Sequence, residues 1–356
     1  MNVLGILVFL GAFRRIFCDV ESVFERNLLI NTPSAEEILL NHDKFYLGGG
    51  NRTQVGVLGF IEDDEALKGI DFAKKFNYLS PMWLNIQRTG YGEYKISGIE
   101  KINKEWIKKL IQVNPQIRII PRISFKSWDM RDFLILASSE QEWISLSEEL
   151  LHLCEHYHFH GLVVDVFNDW YKRVPNNLLI GVIQEISARL RMNLFVSIIS
   201  IPRKYTNIHH LNKDLFEQIA NYASIITLAT FNRKATFRIA RFIKKLDPEG
   251  IFRTKLFFGV EFNGYETTLK KDKPTQFKEI NKNDFIDYLK DYNNYLVYDQ
   301  YAAESYFDIT SSMKKKRIFY PTLYSLNKRV ELANELNVGI FIWRVGDGLD
   351  YFYELL

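Results

Sequence analysis

The feature that most constrains this chain is a repeated alternation of short, continuously apolar runs with longer amphipathic stretches. The runs are VGVLGF (55–60), YLSPMWLNI (78–86), IRIIPRISF (117–125), GLVVDVF (161–167), LFVSIISI (194–201), SIITLATF (224–231), KLFFGVEF (255–262) and VGIFIWRV (338–345). Between them NKEWIKKLIQV, SSEQEWISLSEELLHLCEHY, LLIGVIQEISARLRM, KDLFEQIANY, ATFRIARFIKKL and SLNKRVELANELN carry apolar residues at i, i+3 and i+4, the mark of a helix with one buried face. Strands apolar on both faces must be covered on both, which a parallel sheet wrapped by helices achieves. Eight such units predict an α/β chain folded as a closed (β/α)8 TIM barrel.

The gap from 263 to 321, between the seventh and eighth runs, holds a helix-like NDFIDYLKDY and two extended pieces, YLVYDQYAAESYFDI and RIFYP. It predicts a small inserted β-rich subdomain on the upper rim of the barrel. No glycine-rich phosphate loop follows any run, which weakens a dinucleotide reading, and no cofactor is expected.

Residues 3–13, VLGILVFLGAF, have the length of a signal-peptide core and are too short to span a membrane. No Lys or Arg precedes them and Arg14-Arg15 follows directly, but residues 1–18 are read as a signal peptide cleaved before Asp19. Residues 19–50 then form an N-terminal arm and 51–356 the barrel. A secreted or lysosomal location follows, with no stable membrane span. Cleavage would leave Cys154 alone, so no internal disulfide is expected. The sequon Asn51-Arg52-Thr53, just after three glycines, sits in a context suited to glycosylation. A net charge of +3, with both signs interspersed, argues against nucleic acid as the main partner. The basic run 314–317 reads as a solvated loop tip.

Working residues in such barrels lie at the C-terminal ends of the strands. That rule selects Asp165, Asn168, Asp169 and Trp170 in and after the fourth run, Phe231 and Asn232 at the sixth, and Glu261 and Asn263 at the seventh. It adds Trp343 and Arg344 in the eighth, Trp83 in the second and Trp128 past the third. An acid such as Asp165 within an apolar strand is costly unless a partner or ligand meets it. Aromatic rings converging on one mouth among Asp and Asn suit a sugar, whose faces stack and whose hydroxyls hydrogen-bond; the alternative is that the rings pack the rim. The same rule demotes HLCEHYHFH (152–160). His152 and His156 have the i, i+4 spacing of a metal pair but precede the fourth strand, so a structural helix end is preferred and no metal is expected.

These segments resemble the family 18 glycoside hydrolases, the chitinase family. HGLVVDVF aligns without gaps with that family's fourth-strand motif, DGxDxDxE. The resemblance runs through nearly all of 54–356, including SPMWLNI, IRIIPRISFKSW, KLFFGVEFNGY, RIFYPTLYSLNKRVELANELNVGIFIW and GLDYFYELL, and is narrowest with a receptor-associated branch. In the family, the resemblance implies, the last Glu of the motif protonates the glycosidic oxygen. The Asp two residues earlier orients the substrate's acetamido group, aided by a sixth-strand Tyr.

Carried over by position, the proton donor is replaced by Phe167, while the orienting aspartate is kept as Asp165. The earlier acids read Val163 and His160, and the sixth-strand Tyr-Asp reads Phe231-Asn232. The eighth-strand Trp that floors the sugar site is kept as Trp343. Loss of donor, supporting acids and hydroxyl together predicts a catalytically inactive chitinase-like protein. It would bind oligosaccharide, of chitin type or a related glycan, in the barrel-top cleft without hydrolysing it. The expected contacts are Trp83, Trp128, Asp165, Phe167, Asn168, Trp170, Phe231, Asn232, Glu261 and Trp343. Two alternatives stay open: a protein-interaction module for a sorting or scavenger receptor with a vestigial cleft, and a hydrolase with relocated acids. Asp169 and Glu261 are the candidate acids for the latter, although neither shares the face of Asp165 by spacing.

Overall fold

The computed structural model describes residues 21–48, 52–62, 66–207, 209–230, 236–270, 273–292, 295–310 and 315–356. The expected signal peptide, the sequon asparagine Asn51, and Phe231 and Asn232 lie outside them, as does the side chain of Asn168.

An arm with one short helix, α1 (Ala35–Asn41), precedes the first barrel strand, β1 (Val57–Ile61), and α2 (Ala66–Asp71). The second run is divided into β2 (Tyr78–Pro81) and β3 (Leu84–Gly90), and β3 turns back as a hairpin with β4 (Glu93–Ser97) before α3 (Lys104–Val113). The third run is divided into β5 (Arg118–Ile119) and β6 (Arg122–Ser124), followed by α4 (Met130–Ser138) and α5 (Glu140–Tyr157). Then come β7 (Gly161–Val164), α6 (Val166–Asp169), α7 (Asn176–Met192), β8 (Val196–Ile201), α8 (Lys213–Tyr222), β9 (Ile225–Leu228), α9 (Thr236–Leu246) and β10 (Leu256–Glu261). Helix starts are fixed by side-chain caps: Asn103, Ser139 and Asn212 accept from the backbone N–H three residues on, meeting donors the helix cannot use.

The strands pair in parallel from β6 through β7, β8, β9 and β10 to the strand of the eighth run, which in turn pairs with β1, and β1 with β2. The ring closes through the divided runs, because β2 pairs with β5 while β3 pairs with β6. Pro121 sits at the division of the third run and has no N–H to donate. Its carbonyl still accepts from Val163 N at 2.9 Å, which keeps the third and fourth strands joined across the break. Gly161 opens β7 at φ +150°, and a Cβ there would lie 2.0 Å from the carbonyl oxygen of Val196. Only glycine lets β7 lie this close to β8.

Alternate residues separate into two layers, as the strand period of two requires. Leu58, Phe60, Ile120, Val163, Ile198, Phe257 and Phe341 pack together inside the barrel. Val57, Ile61, Leu162, Val164, Ile199, Phe258, Ile340 and Ile342 join the larger core that includes the helices.

The expected insertion is present. It comprises β11 (Gly264–Lys270), β12 (Lys273–Ile280), α10 (Lys282–Asp291), β13 (Val297–Asp299), β14 (Glu304–Thr310) and β15 (Lys315–Tyr320), before α11 (Leu323–Leu336) and β16 (Gly339–Trp343) complete the barrel. Its strands form one antiparallel sheet in the order β12-β11-β15-β14-β13. Phe285 of α10 stacks on Tyr320 at 3.8 Å between centroids, and both rings belong to the larger core that includes the barrel helices. The arm is stitched to the body: the buried carboxylate of Glu354 accepts from Val23 N at 2.7 Å, Arg26 Nη2 at 2.9 Å and Tyr46 N at 3.1 Å.

Candidate functional site

A cleft of ≈ 450 Å³ opens at the C-terminal ends of the strands, lined by Glu62 after β1, Met82 and Leu84 of the second run, Arg122 and Ser124 of β6, Lys101, Lys126 and Trp343. Trp343 ends β16, and its ring rests on Phe60 from inside the barrel, with centroids 5.2 Å apart.

Asp165, 1 % exposed, follows the last residue of β7. The structure shows what this acid meets: Arg122 of the neighbouring strand forms an ion pair with it through Nη2. The backbone holds the two in place, since Arg122 is in register with Val163 and Asp165 N donates to Ile123 O at 3.1 Å. The guanidinium also donates from Nη1 to Met82 Sδ at 3.4 Å, and its Cζ lies 5.6 Å from the centroid of Trp343. Within this distance a cation is attracted to the face of an indole. Asp165, Arg122 and Trp343 therefore form one unit, with the carboxylate beneath and the guanidinium nearer the cleft.

Phe167 lies elsewhere than the sequence predicts. Alternation of faces holds only while the chain is extended, and β7 ends at Val164, with Val166–Asp169 already helical. The Phe167 ring, 1 % exposed, turns into the core shared with the helices and packs parallel to Tyr171 at 5.4 Å. It is not the floor of the cleft.

Three of the four rim tryptophans are also core residues. Trp83 packs edge-on against Trp106 of α3 at 5.6 Å. Trp128 and Trp170, 5.5 Å apart, are enclosed with Phe125 and Phe133, and Trp128 Nε1 donates to Ile86 O at 2.8 Å. An indole whose N–H is met inside gains more from burial than from lining solvent. The stacking track expected from these rings reduces to Trp343.

Glu261 ends β10 in register with Trp343 but does not line the cleft. Its Oε2 accepts from Tyr265 Oη at 2.7 Å. Burial, reinforced by nearby Glu279, pushes its carboxyl up to about 7 despite that hydrogen bond. Beside it Arg344 reaches Glu62 at 3.3 Å, Glu279 at 3.4 Å and Asp347 at 3.1 Å, while Asn263 Nδ2 donates to Glu279 and Asp347. This ionic rim joins the insertion to the mouth of the barrel.

The histidine-rich segment closes α5. His152 and His156 lie 6.1 Å apart, His158 caps the helix at φ 55°, and His160 Nδ1 accepts from Ile119 N at 3.1 Å. Among the described residues no group of three or more His, Cys, Asp or Glu is arranged to hold a metal, and no helix is long and apolar enough to cross a membrane.

Sequence reasoning missed Arg122, Ser124, Lys101 and Lys126. The first two were accessible: Ile120, Arg122 and Ser124 share one face of the third run by the period of two. A cation there is the natural complement of an acid in the next strand.

No family model matches the chain. Solved structures with the same architecture include a chitinase from Chromobacterium violaceum, 16 % identical, covering 84 % of this chain and 97 % of that one with a TM-score of 0.67. A family 18 chitinase from Cycas revoluta in complex with (GlcNAc)3 is 14 % identical, with the same two coverages of 84 % and 97 %, and a TM-score of 0.68. The spore cortex-lytic enzyme SleL of Bacillus megaterium QM B1551 is 15 % identical over 87 % of this chain and 74 % of its own, at a TM-score of 0.66. The polypeptide thus has the chitinase-type (β/α)8 fold.

Proposed function

We propose that this chain is a catalytically inactive, chitinase-like protein that binds an oligosaccharide in the barrel-top cleft without cleaving it. The observation that carries this reading is the end of β7. The residue at the family's proton-donor position is a buried phenylalanine turned away from the cleft, and Asp165, at the position of the orienting acid, is committed to Arg122. Trp343 supplies a ring for a sugar face, and Ser124 and Arg122 supply hydrogen-bonding groups. The neighbour bound to (GlcNAc)3 makes chito-oligosaccharides the first ligands to try. The narrower resemblance, to a receptor-associated branch of the chitinase-like proteins, is the ground for proposing a secretory-pathway or lysosomal location, a sorting-receptor partner and glycosylation at Asn51.

Titration calorimetry with chito-oligosaccharides, paired with a hydrolysis assay on labelled glycans, tests the reading. Heat without product is expected, and Trp343→Ala should weaken binding about tenfold through loss of stacking and buried area. No heat, or unchanged affinity in that variant, would count against it.

One observation favours a second reading, a hydrolase with a relocated acid. Glu261, with its carboxyl near 7, can hold a proton at neutral pH as a general acid must. Product released from a labelled glycan panel by the wild type but not by Glu261→Gln would establish it.

A further inference from the structure

We infer that the gap between α3 and the end of α5 is a docking groove for an amphipathic helix of another protein, its apolar stripe flanked by acidic residues. The groove, ≈ 390 Å³, lies on the flank of the barrel and shares no lining residue with the cleft. α3 forms one wall, and the histidine-rich end of α5 forms the other with His156, Tyr157 and His158.

Its floor is an open extension of the core. Ile102, Ile107 and Tyr157 pack against the core yet stay partly exposed, and Ile111 is 40 % exposed. An apolar strip rimmed by polar groups marks a contact surface. On α3 the lining residues form two parallel stripes, Ile107 with Ile111 and Lys104 with Lys108, because residues four apart share a face. Ridges so spaced mesh with those of a second helix, and Lys104 to Gln112 spans about 12 Å, roughly two turns. A flat lipid surface would leave the concave floor uncovered.

Charge sets the flanks of the occupant. Glu105 and Glu155 neighbour the walls in sequence, but no acid lines the groove. Lys104 and Lys108 enter no ion pair among the described residues. His158 caps α5 at φ 55°, a left-handed conformation that glycine adopts without strain. Glycine would end the helix at lower cost; what His158 adds is an imidazole at the edge of the groove. The ring of His156 stands edge-on to Tyr157 at 4.6 Å. Two ammonium groups and two imidazoles thus border one apolar strip, and carboxylates on either side of an apolar stripe complement them.

A display library of helical 16-residue peptides, selected on the intact protein, tests this. Enriched sequences should carry apolar residues at i, i+4 and i+7 with Asp or Glu beside them. The double substitution Lys104→Glu and Lys108→Glu should weaken the enriched peptide about tenfold, and exchanging the peptide's acids for Lys should restore binding. Lys104 opens α3, where the helix dipole favours an acid, so this variant keeps its fold. No enrichment, enrichment of sequences without acids, or an affinity unmoved by the charge reversal overturns the inference. Self-association in sedimentation velocity that Ile111→Ser abolishes would assign the groove to a second copy. Binding to phosphatidylserine vesicles lost in the same variant would assign it to a membrane, and either result overturns the inference too.

Discussion

The ends of β7 and β10 each bury one carboxylate near the barrel mouth, and each solves the cost differently. Asp165 has a guanidinium, Arg122, on the adjacent strand, which lies between it and the cleft. Glu261 receives a phenol, Tyr265, which gives a hydrogen bond but no charge, and its acidity falls until it titrates near neutrality. The first carboxylate is met by an opposite charge, whereas the neutral donor of Glu261 leaves its charge conditional on pH. The first end is an ion pair beneath the cleft; the second is a buried acid able to exchange a proton near neutral pH.

The largest break in this comparison comes from removing the counter-ion. Arg122→Met should destabilise the fold by about 3–5 kcal/mol, because it removes the ion-pair partner of a buried carboxylate. Denaturant unfolding measures this, and pairing the change with Asp165→Asn should restore much of the loss. An Arg122→Met protein as stable as the wild type would show that the ion pair does not hold this corner.

The next effect is on pH dependence. The folded-state value of Glu261 lies above its ordinary 4.5, so the folded state holds the proton more tightly than the unfolded chain. Its favourable contribution is therefore fully present below pH 4.5 and is lost as pH rises toward 7. Glu261→Gln should flatten the stability profile in that window, with a difference of up to about 3 kcal/mol across it. A profile unchanged by this substitution would place the titration elsewhere. The smallest effect is that of Tyr265→Phe, which should cost about 1 kcal/mol at pH 8 and move the Glu261 midpoint further up by removing a bond to the charged form.

Much of the architecture was legible in the sequence, because strand and helix periods are imposed by burial. The eight runs and the insertion appear where apolar patterning puts them. The divisions at Met82-Trp83 and Ile120-Pro121 were not, although Pro121 advertised a missing donor. The site was read less well, for two physical reasons. Phe167 was assigned by counting in twos past the point where the chain ceases to be extended. Trp83, Trp128 and Trp170 were assigned by their nearness to the rim, and chain position does not say whether a ring faces solvent or another ring. Asp165 was singled out as an acid needing a partner. The partner, Arg122, sits 43 positions away in a run whose alternation already pointed it inward.

The stitching of the arm sets the order of events during synthesis. Val23 emerges first, yet the carboxylate that receives its N–H lies 331 positions later. The arm cannot dock until nearly the whole barrel has been made, so its docking is a late step in assembly, and one with a large loop-closure cost. Protection of residues 21–46 from a protease would therefore clock the completion of the barrel, while the inner strands would gain protection earlier.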